Sequence, residues 1–584
     1  MEYRKTSQFL MPAVKPQCSS GMYDIYPAFH IEDNQVFRGI HSLVTLIAQN
    51  EHVILDGFSG VFFHELRDTI DSILVNEFKL SYKWLDVSDY LKTAAVIDRM
   101  LEPFLGGGDP LFGTRTTLSL RDLYNVQQPF KDNEPGRTII YGPGASLFQE
   151  DGLLVYFDLP KNEVQFRSRA GRAGNIGSPG NRDQKAIYKR NYFADWVLLK
   201  RHKENIIDRI DVLADTQRND EITWIYGSVF RETLILMSHS AIRARPWFEP
   251  GTWGGSWIKT KINGVNTDVP NYAWSFELIT PENGLIIESS GLMLEFSFDF
   301  LMAAASRDVL GDCADAFGKD FPIRFDFLDT FNGGNLSVQC HPRKQYAREK
   351  FGEEFTQEEA YYILDSSGDS KVYLGFRDDI DRKKFRNILE ESASKGTEVR
   401  IEDYVMLHNS KKHDLFLIPP GTVHASGRNN LVLEISSTPY IFTFKMYDWI
   451  RPDLDGKPRT LNIERAFENL NFEMKGERVP GELIPAPKLI SQGKDWSLFH
   501  LKTHKDQLYD VHRCNFLTEF TSQTGGKCLV LNLVEGESIE VRTENNRSIF
   551  VSYAETFIIP AAAGKFTLVN NSSSIAIVVM AFVK

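Results

Sequence analysis

The run Leu336-Ser-Val-Gln-Cys-His-Pro342 holds an amide side chain and an imidazole two residues apart. On a β-strand successive side chains alternate between faces, so Gln339 and His341 point one way and Cys340 the other. Pro342 has no N–H to give and ends the ladder. Two further stretches add donors. Glu358-Glu359-Ala-Tyr-Tyr-Ile-Leu364 offers a carboxylate at the mouth of an apolar strand. Asp414-Leu-Phe-Leu-Ile-Pro-Pro-Gly-Thr-Val-His424 offers a second imidazole directly after a rigid Pro-Pro-Gly turn. Two imidazoles, a carboxylate and a neutral oxygen form a borderline N/O site suited to zinc, with a position left open for water or substrate. The Gln-x-His pair alone fits an outward polar strand face better than a metal site; the added donors turn the balance to the metal.

The elements that must position these residues are short β-type runs separated by turn residues. They dominate from about residue 245, after the Pro-, Gly- and Trp-rich stretch Pro246–Trp257, to the end of the chain. Many short strands with regular turns predict a sandwich or barrel. One amphipathic helix interrupts them at about 381–394, with Phe385, Ile388 and Leu389 as its apolar stripe. The last ~100 residues repeat the β pattern, and the apolar run from Ile575 to Val583 reads as a buried terminal strand. The first ~235 residues read as α/β instead. His52-Val-Ile-Leu-Asp-Gly and Gly152-Leu-Leu-Val-Tyr-Phe-Asp158 are buried parallel strands by pattern. Between them, Phe62, Phe63, Leu66, Ile70, Ile73 and Leu74 recur at helical spacing. Arg167, Arg169, Arg172, Lys189 and Arg190, set among glycines, read as an exposed basic segment. His504 and His512, in the last β region, show no partners at ligand spacing.

From residue 240 to 584 the chain resembles the bacterial short form of type I mannose-6-phosphate isomerase, a cupin-type family. The likeness rests on Leu336–Pro342, on the Tyr-Tyr-Ile-Leu strand after Glu359, and on Ile418-Pro-Pro-Gly-Thr-Val-His424. It continues through Leu433-Glu434-Ile435, Met446-Tyr-Asp-Trp449, Asp455-Gly-Lys-Pro-Arg459, Glu535-Gly536 and Ile559-Pro560; Trp253-Gly-Gly fits the family's opening. The resemblance implies one zinc ion held by Gln339, His341, Glu359 and His424, and Ser337 as a phosphate-side hydroxyl. It implies aldose–ketose isomerisation of a sugar phosphate, mannose 6-phosphate to fructose 6-phosphate, with Glu434 and Lys445 as the candidates for proton transfer. Three charged positions depart from the family: Asp326 and Gln357 stand where it has lysine, and Lys445 where it has arginine. Lys445 keeps the charge but loses the planar bidentate fork. Isomerisation or epimerisation of another sugar, or non-catalytic sensing of a sugar phosphate, are the alternatives.

The N-terminal region more weakly resembles a uridine-kinase-type P-loop fold over about residues 50–200. A working loop needs Gly, Lys and Ser/Thr to wrap phosphates and reach magnesium. Phe62, Phe63 and His64 stand there instead, so the expectation is a kinase-like scaffold with a degenerate loop. The expected fold is therefore multidomain: an α/β P-loop-kinase-like domain at 1–240, a metal-binding cupin (jelly-roll) domain at 241–475, and a C-terminal cupin without metal ligands at 476–584. A formal charge of −12 over 584 residues argues against nucleic acid as a partner. Five cysteines, with no metal-like pair, fit a reducing compartment. With no secretory h-region and no apolar run of membrane length, the sequence predicts a cytoplasmic protein that does not engage a membrane.

Overall fold

The structure is a computed structural model that describes all residues except 1–2, 20, 108, 126–135, 179–182, 441, 453–455 and 457–458. Asp455, Lys457 and Pro458 of the family-like stretch lie outside the described residues. The chain divides into two compact units. The first comprises Met1–Gln17, Tyr26–Ser238 and Thr280–Ser306; the second comprises Cys18–Ile25, His239–Ile279 and Arg307–Lys584. Among the described residues, no helix is long and apolar enough to cross a membrane.

The first unit is built on a seven-stranded sheet. Five strands run parallel, in the spatial order Lys83–Asp86, Thr138–Tyr141, His52–Gly57, Leu153–Asp158 and Val212–Asp215. Thr223–Tyr226 and Val36–Arg38 extend the sheet antiparallel. The central strands are near-continuous apolar runs because helices cover both faces of a parallel sheet. Helix Phe63–Asn76 follows the central strand and buries Phe63, Leu66, Ile70 and Leu74, one stripe at helical spacing. A smaller sheet joins Ala28–His30, Gly284–Ser289 and Leu292–Ser297, so chain from beyond residue 280 returns to this unit.

The supposed exposed basic segment is instead largely interior. Helices Lys161–Arg169 and Gln184–Arg190 carry four of the five basic residues, and Arg167, Lys189 and Arg190 are buried, whereas Arg172, in the turn after the first helix, is exposed. Arg167 donates to the carbonyls of Gly60 at 2.8 Å and Thr216 at 2.6 Å. Arg190 pairs with Asp195 at 3.3 Å and Asp98 at 3.1 Å. A guanidinium has five donors in a rigid fork, and buried carbonyls and carboxylates that match it make burial tolerable.

The second unit is largely antiparallel β-sheet. One six-stranded sheet has the order Leu415–Ile418, Glu358–Ser366, Asn430–Ser437, Ile323–Asp329, Trp274–Leu278 and Trp247–Glu249. A five-stranded sheet has the order Val405–Asn409, Lys371–Phe376, His424–Ser426, Val338–Cys340 and Phe444–Tyr447. The helix expected near 381–394 spans Arg382–Lys395 and buries Phe385 and Leu389. Toward the C-terminus a further six-stranded and a four-stranded sheet share one core, in which Cys514, Phe516 and Val578 meet Ile539, Val541 and Leu568. Two facing sheets bury their inner rows against each other, the arrangement of a sandwich. The terminal apolar run is the central strand Ala576–Val583 of the larger of these sheets.

Candidate metal centre

Strand Val338–Cys340 lies between His424–Ser426 and Phe444–Tyr447, and Gln339 sits opposite His424 on one side and Lys445 on the other. Directly opposed residues of antiparallel strands present their side chains on the same face. Gln339, His424 and Lys445 therefore share a face. His341 follows the strand end and its carbonyl accepts the N–H of Gly421, which ties the Pro-Pro-Gly turn to the ligand strand at 2.9 Å. Cys340 is fully buried with its thiol near the Ala466 carbonyl, away from this face.

Glu359 comes from the facing sheet. Its Oε2 lies 2.5 Å from His341 Nε2 and 3.1 Å from His424 Nε2. The Gln339 amide approaches His424 Nε2 at 3.3 Å, and an amide turned by 180° places its oxygen there. One ligand atom each from His341, Glu359 and His424 lies within 4.8 Å of the others, and all three residues are buried. The other ring nitrogens are spoken for: His341 Nδ1 faces the Phe442 carbonyl at 3.0 Å, and His424 Nδ1 faces the Thr422 carbonyl at 2.9 Å. A carbonyl only accepts, so each Nδ1 carries a proton and each Nε2 is the atom turned to the Glu359 oxygen, able to share a proton with that carboxylate or to give a lone pair to a cation in the proton's place. Acceptors converging on one point, oriented from behind by backbone carbonyls, fit a divalent cation.

The sheet behind Glu359 is unusually polar on the same face. Across neighbouring strands Arg324, Ser436 and Glu359 form one row, and Asp326, Glu434 and Tyr361 the next. All six are buried. Burial, then the nearby Glu359 charge, holds the Asp326 carboxyl well above its ordinary range. Burial followed by Asp326 and Glu359 does the same to Glu434. Burial alone would raise Glu359 too, but His341 and then His424 draw it well below the usual carboxylate range. Of three neighbouring carboxyls, the one facing the imidazoles keeps its charge.

Ser337 donates to Asp448 Oδ1 at 2.9 Å, and Asp448 is clamped by Arg451 and Arg459, each at 2.7 Å. Sequence reasoning assigned no role to these two arginines, although Asp448-x-x-Arg451 is a visible ion-pair spacing. It also missed Gln507, whose amide donates to the Glu359 carbonyl at 2.6 Å and ties the C-terminal β region to the ligand strand. The side-chain oxygen of Gln357, two residues before Glu359, is buried without a hydrogen-bond partner among the described residues. The expectation that His512 lacks partners at ligand spacing is corrected: His500 and Asp510 stand beside it.

A family model described as a domain of unknown function (DUF8485) matches residues 39–239. The mannose-6-phosphate isomerase ManA of Bacillus subtilis is 26% identical over 234 residues, 40% of this chain and 69% of that protein. The mannose-6-phosphate isomerase of Streptococcus mutans is 25% identical over 232 residues, 40% of this chain and 68% of that protein. Among solved structures, the mannose 6-phosphate isomerase from Bacillus subtilis aligns with a TM-score of 0.46 at 19% identity, covering 58% of this chain and 99% of that one. It is to mannose-6-phosphate isomerases that this chain is similar in sequence.

Proposed function

We propose that the second unit is a zinc-dependent aldose–ketose isomerase that interconverts mannose 6-phosphate and fructose 6-phosphate. The observation that carries this reading is the buried convergence of His341 Nε2, His424 Nε2 and Glu359 Oε2, with both Nδ1 atoms held by carbonyls. Gln339, His341, Glu359 and His424 would hold one zinc ion, which would supply Lewis acidity toward a substrate oxygen. The isomerisation itself moves one proton from C2 to C1 and a second from the C2 hydroxyl to the C1 oxygen, while the carbonyl passes from C1 to C2, with no net change in atoms or electrons. Glu434, with its raised carboxyl pKa, and Lys445, opposite Gln339, are the groups assigned to that proton. Ser337, with Arg451 and Arg459 around Asp448, forms the cationic side suited to the phosphate.

The altered positions favour a second reading, a related sugar as substrate. Asp326 is buried beside Glu434, and the partnerless Gln357 oxygen offers an acceptor for a hydroxyl.

The strand–loop–helix at 52–76 supports, for the first unit, a kinase-like scaffold without phosphoryl transfer. Phe62 takes the place of a phosphate-binding group, and the Arg167 guanidinium lies 4.2 Å from its ring centroid. We propose that the second unit divides at 475 into a metal-binding cupin and a cupin without metal ligands for that centre, and that the protein is cytoplasmic.

The test is steady-state kinetics on hexose and pentose phosphates with zinc present or chelated. Mannose 6-phosphate should turn over only with zinc. Lys445→Ala should cost on the order of 2–5 kcal/mol of transition-state stabilisation. The triple variant Asp326→Lys/Gln357→Lys/Lys445→Arg should raise kcat/KM for mannose 6-phosphate. A zinc-loaded protein that turns over no sugar phosphate would refute the isomerase and leave the sensor.

A further inference from the structure

The inner face of strands Trp496–Leu501 and Tyr509–Phe516 begins as an ordinary core. Trp496 pairs across with Phe516, and Leu498 with Cys514, and all four join the apolar cluster of the C-terminal sandwich. The next pair on that face is His500 opposite His512, and Asp510 stands two residues before His512 on the same face. An apolar row thus ends in two imidazoles and a carboxylate at the edge of the core.

Their geometry goes beyond a chance ion pair. His500 Nε2 lies 2.8 Å from Asp510 Oδ2, with the two side chains about a quarter exposed, at 26% and 20%. The His500 and His512 rings lie edge to face at 5.4 Å between centroids, and His512 also meets the Phe582 edge at 4.9 Å. One donor from each of the three residues lies within 4.8 Å of the others. Donors of a tetrahedral zinc shell sit about 3.3 Å apart when each bond is ~2.05 Å, so modest side-chain rotation closes the set. Asp510 is already oriented: its Oδ1 accepts from Thr503 Oγ1 at 3.1 Å and Val511 N at 3.0 Å, which leaves Oδ2 toward His500. Such support from behind is what a metal-binding carboxylate needs. Cations nearby include Lys488, opposite His500, Lys584, which acts on Asp510 electrostatically, and Lys527, whose ammonium lies 5.9 Å from the Phe582 ring centroid. Lys488 is exposed, and Lys584 gives its ammonium to the His504 carbonyl at 2.8 Å.

We propose that His500, Asp510 and His512 form a second divalent-cation site, separate from the His341 centre. Two imidazoles and one carboxylate make a borderline donor set that selects zinc over calcium or magnesium. The partial exposure leaves the remaining coordination to water. The site joins the two strands across their hairpin at the end of the C-terminal sandwich.

The test counts zinc per chain by elemental analysis after equilibration with micromolar zinc and gel filtration. The full chain should hold two ions. His500→Ala/His512→Ala should hold one, His341→Ala/His424→Ala one, and the fourfold variant none. Asp510→Asn, closest in shape to the parent, should weaken the second ion at least tenfold, and zinc should raise the Tm of His341→Ala/His424→Ala but not of the fourfold variant. One ion per chain, lost in His341→Ala/His424→Ala and kept in His500→Ala/His512→Ala, overturns the second site while leaving the isomerase centre intact. One ion with the opposite dependence supports the second site and removes the first.

Discussion

Replacing His341 and His424 together by alanine tests the geometry of the main centre most directly. Zinc bound by four protein ligands in small structural sites is worth about 10–16 kcal/mol, or roughly 2.5–4 kcal/mol per ligand if shared evenly. Two ligands lost should then cost about 5–8 kcal/mol, a weakening of roughly 10^4–10^6-fold. A second effect belongs to the metal-free protein. Glu359 is 1% exposed, and its charge is held by the two imidazoles at 2.5 and 3.1 Å. Without them the carboxylate is an unpaired buried charge, a situation that typically costs about 3–5 kcal/mol unless it takes up a proton. The double variant should therefore lose both zinc affinity and metal-free stability at neutral pH. Chelator competition in a His500→Ala/His512→Ala background isolates this centre, and urea unfolding without metal reads the second effect. Cys340→Ala is the matched control, because Cys340 lies between two ligands in sequence but packs toward Ala466. It should change zinc affinity less than threefold. A double variant that binds zinc within tenfold of the parent, or a Cys340→Ala variant that loses it, would refute the assigned face.

Glu277 gives a pH prediction at a carboxyl outside the set of metal-binding residues. Burial pushes its carboxyl up to about 7, against donors from Ser275 and, at 2.6 Å, the Tyr23 hydroxyl. A folded-state value above the unfolded one of 4.5 means that the folded protein binds the extra proton between those values. Its contribution is fully present below pH ~4.5 and is lost as pH rises through 7, by up to about 3 kcal/mol at 1.36 kcal/mol per unit. Glu277→Gln should flatten that part of the Tm-against-pH curve from pH 5 to 8; an unchanged slope would show that Glu277 is already ionised in the fold. For the first unit, magnesium-dependent release of phosphate from ATP or GTP should stay at background, since Phe62 and Phe63 cannot neutralise a transferring phosphoryl group. Turnover abolished by substitutions in the 57–64 loop would overturn this.

What the sequence made legible follows from how locally each feature is determined. His52–Gly57 and Leu153–Asp158 could be read because a strand buried on both faces is a continuous apolar run. Helix Arg382–Lys395 carries its own stripe and its own stops: Asp381 accepts from the N–H groups of Lys383 and Lys384, and Gly396 at φ 68° ends it. His341, Glu359 and His424, which lie together in the structure, stood in short motifs: alternation put His341 on a face with Gln339, and the family resemblance added Glu359 and His424. The return of Thr280–Ser306 to the first unit was not legible, because Gly284–Ser289 pairs with Ala28–His30, some 250 residues away. Nor were the polar rows behind the metal, or the His500–His512 pair. These depend on which residue of one strand stands opposite which residue of another. Register is set by turn geometry and by whole faces competing for burial, and a slip of one residue would reverse every side chain. Asp326 shows the consequence. By sequence it marks a missing lysine and a lost positive charge; in register it stands opposite Glu434. Burial and then the Glu359 charge raise the Asp326 carboxyl, and burial and then Asp326 raise that of Glu434. The departure from the family pattern therefore acts first on proton affinity beside the metal, and only after that on the sign of charge offered to a phosphate.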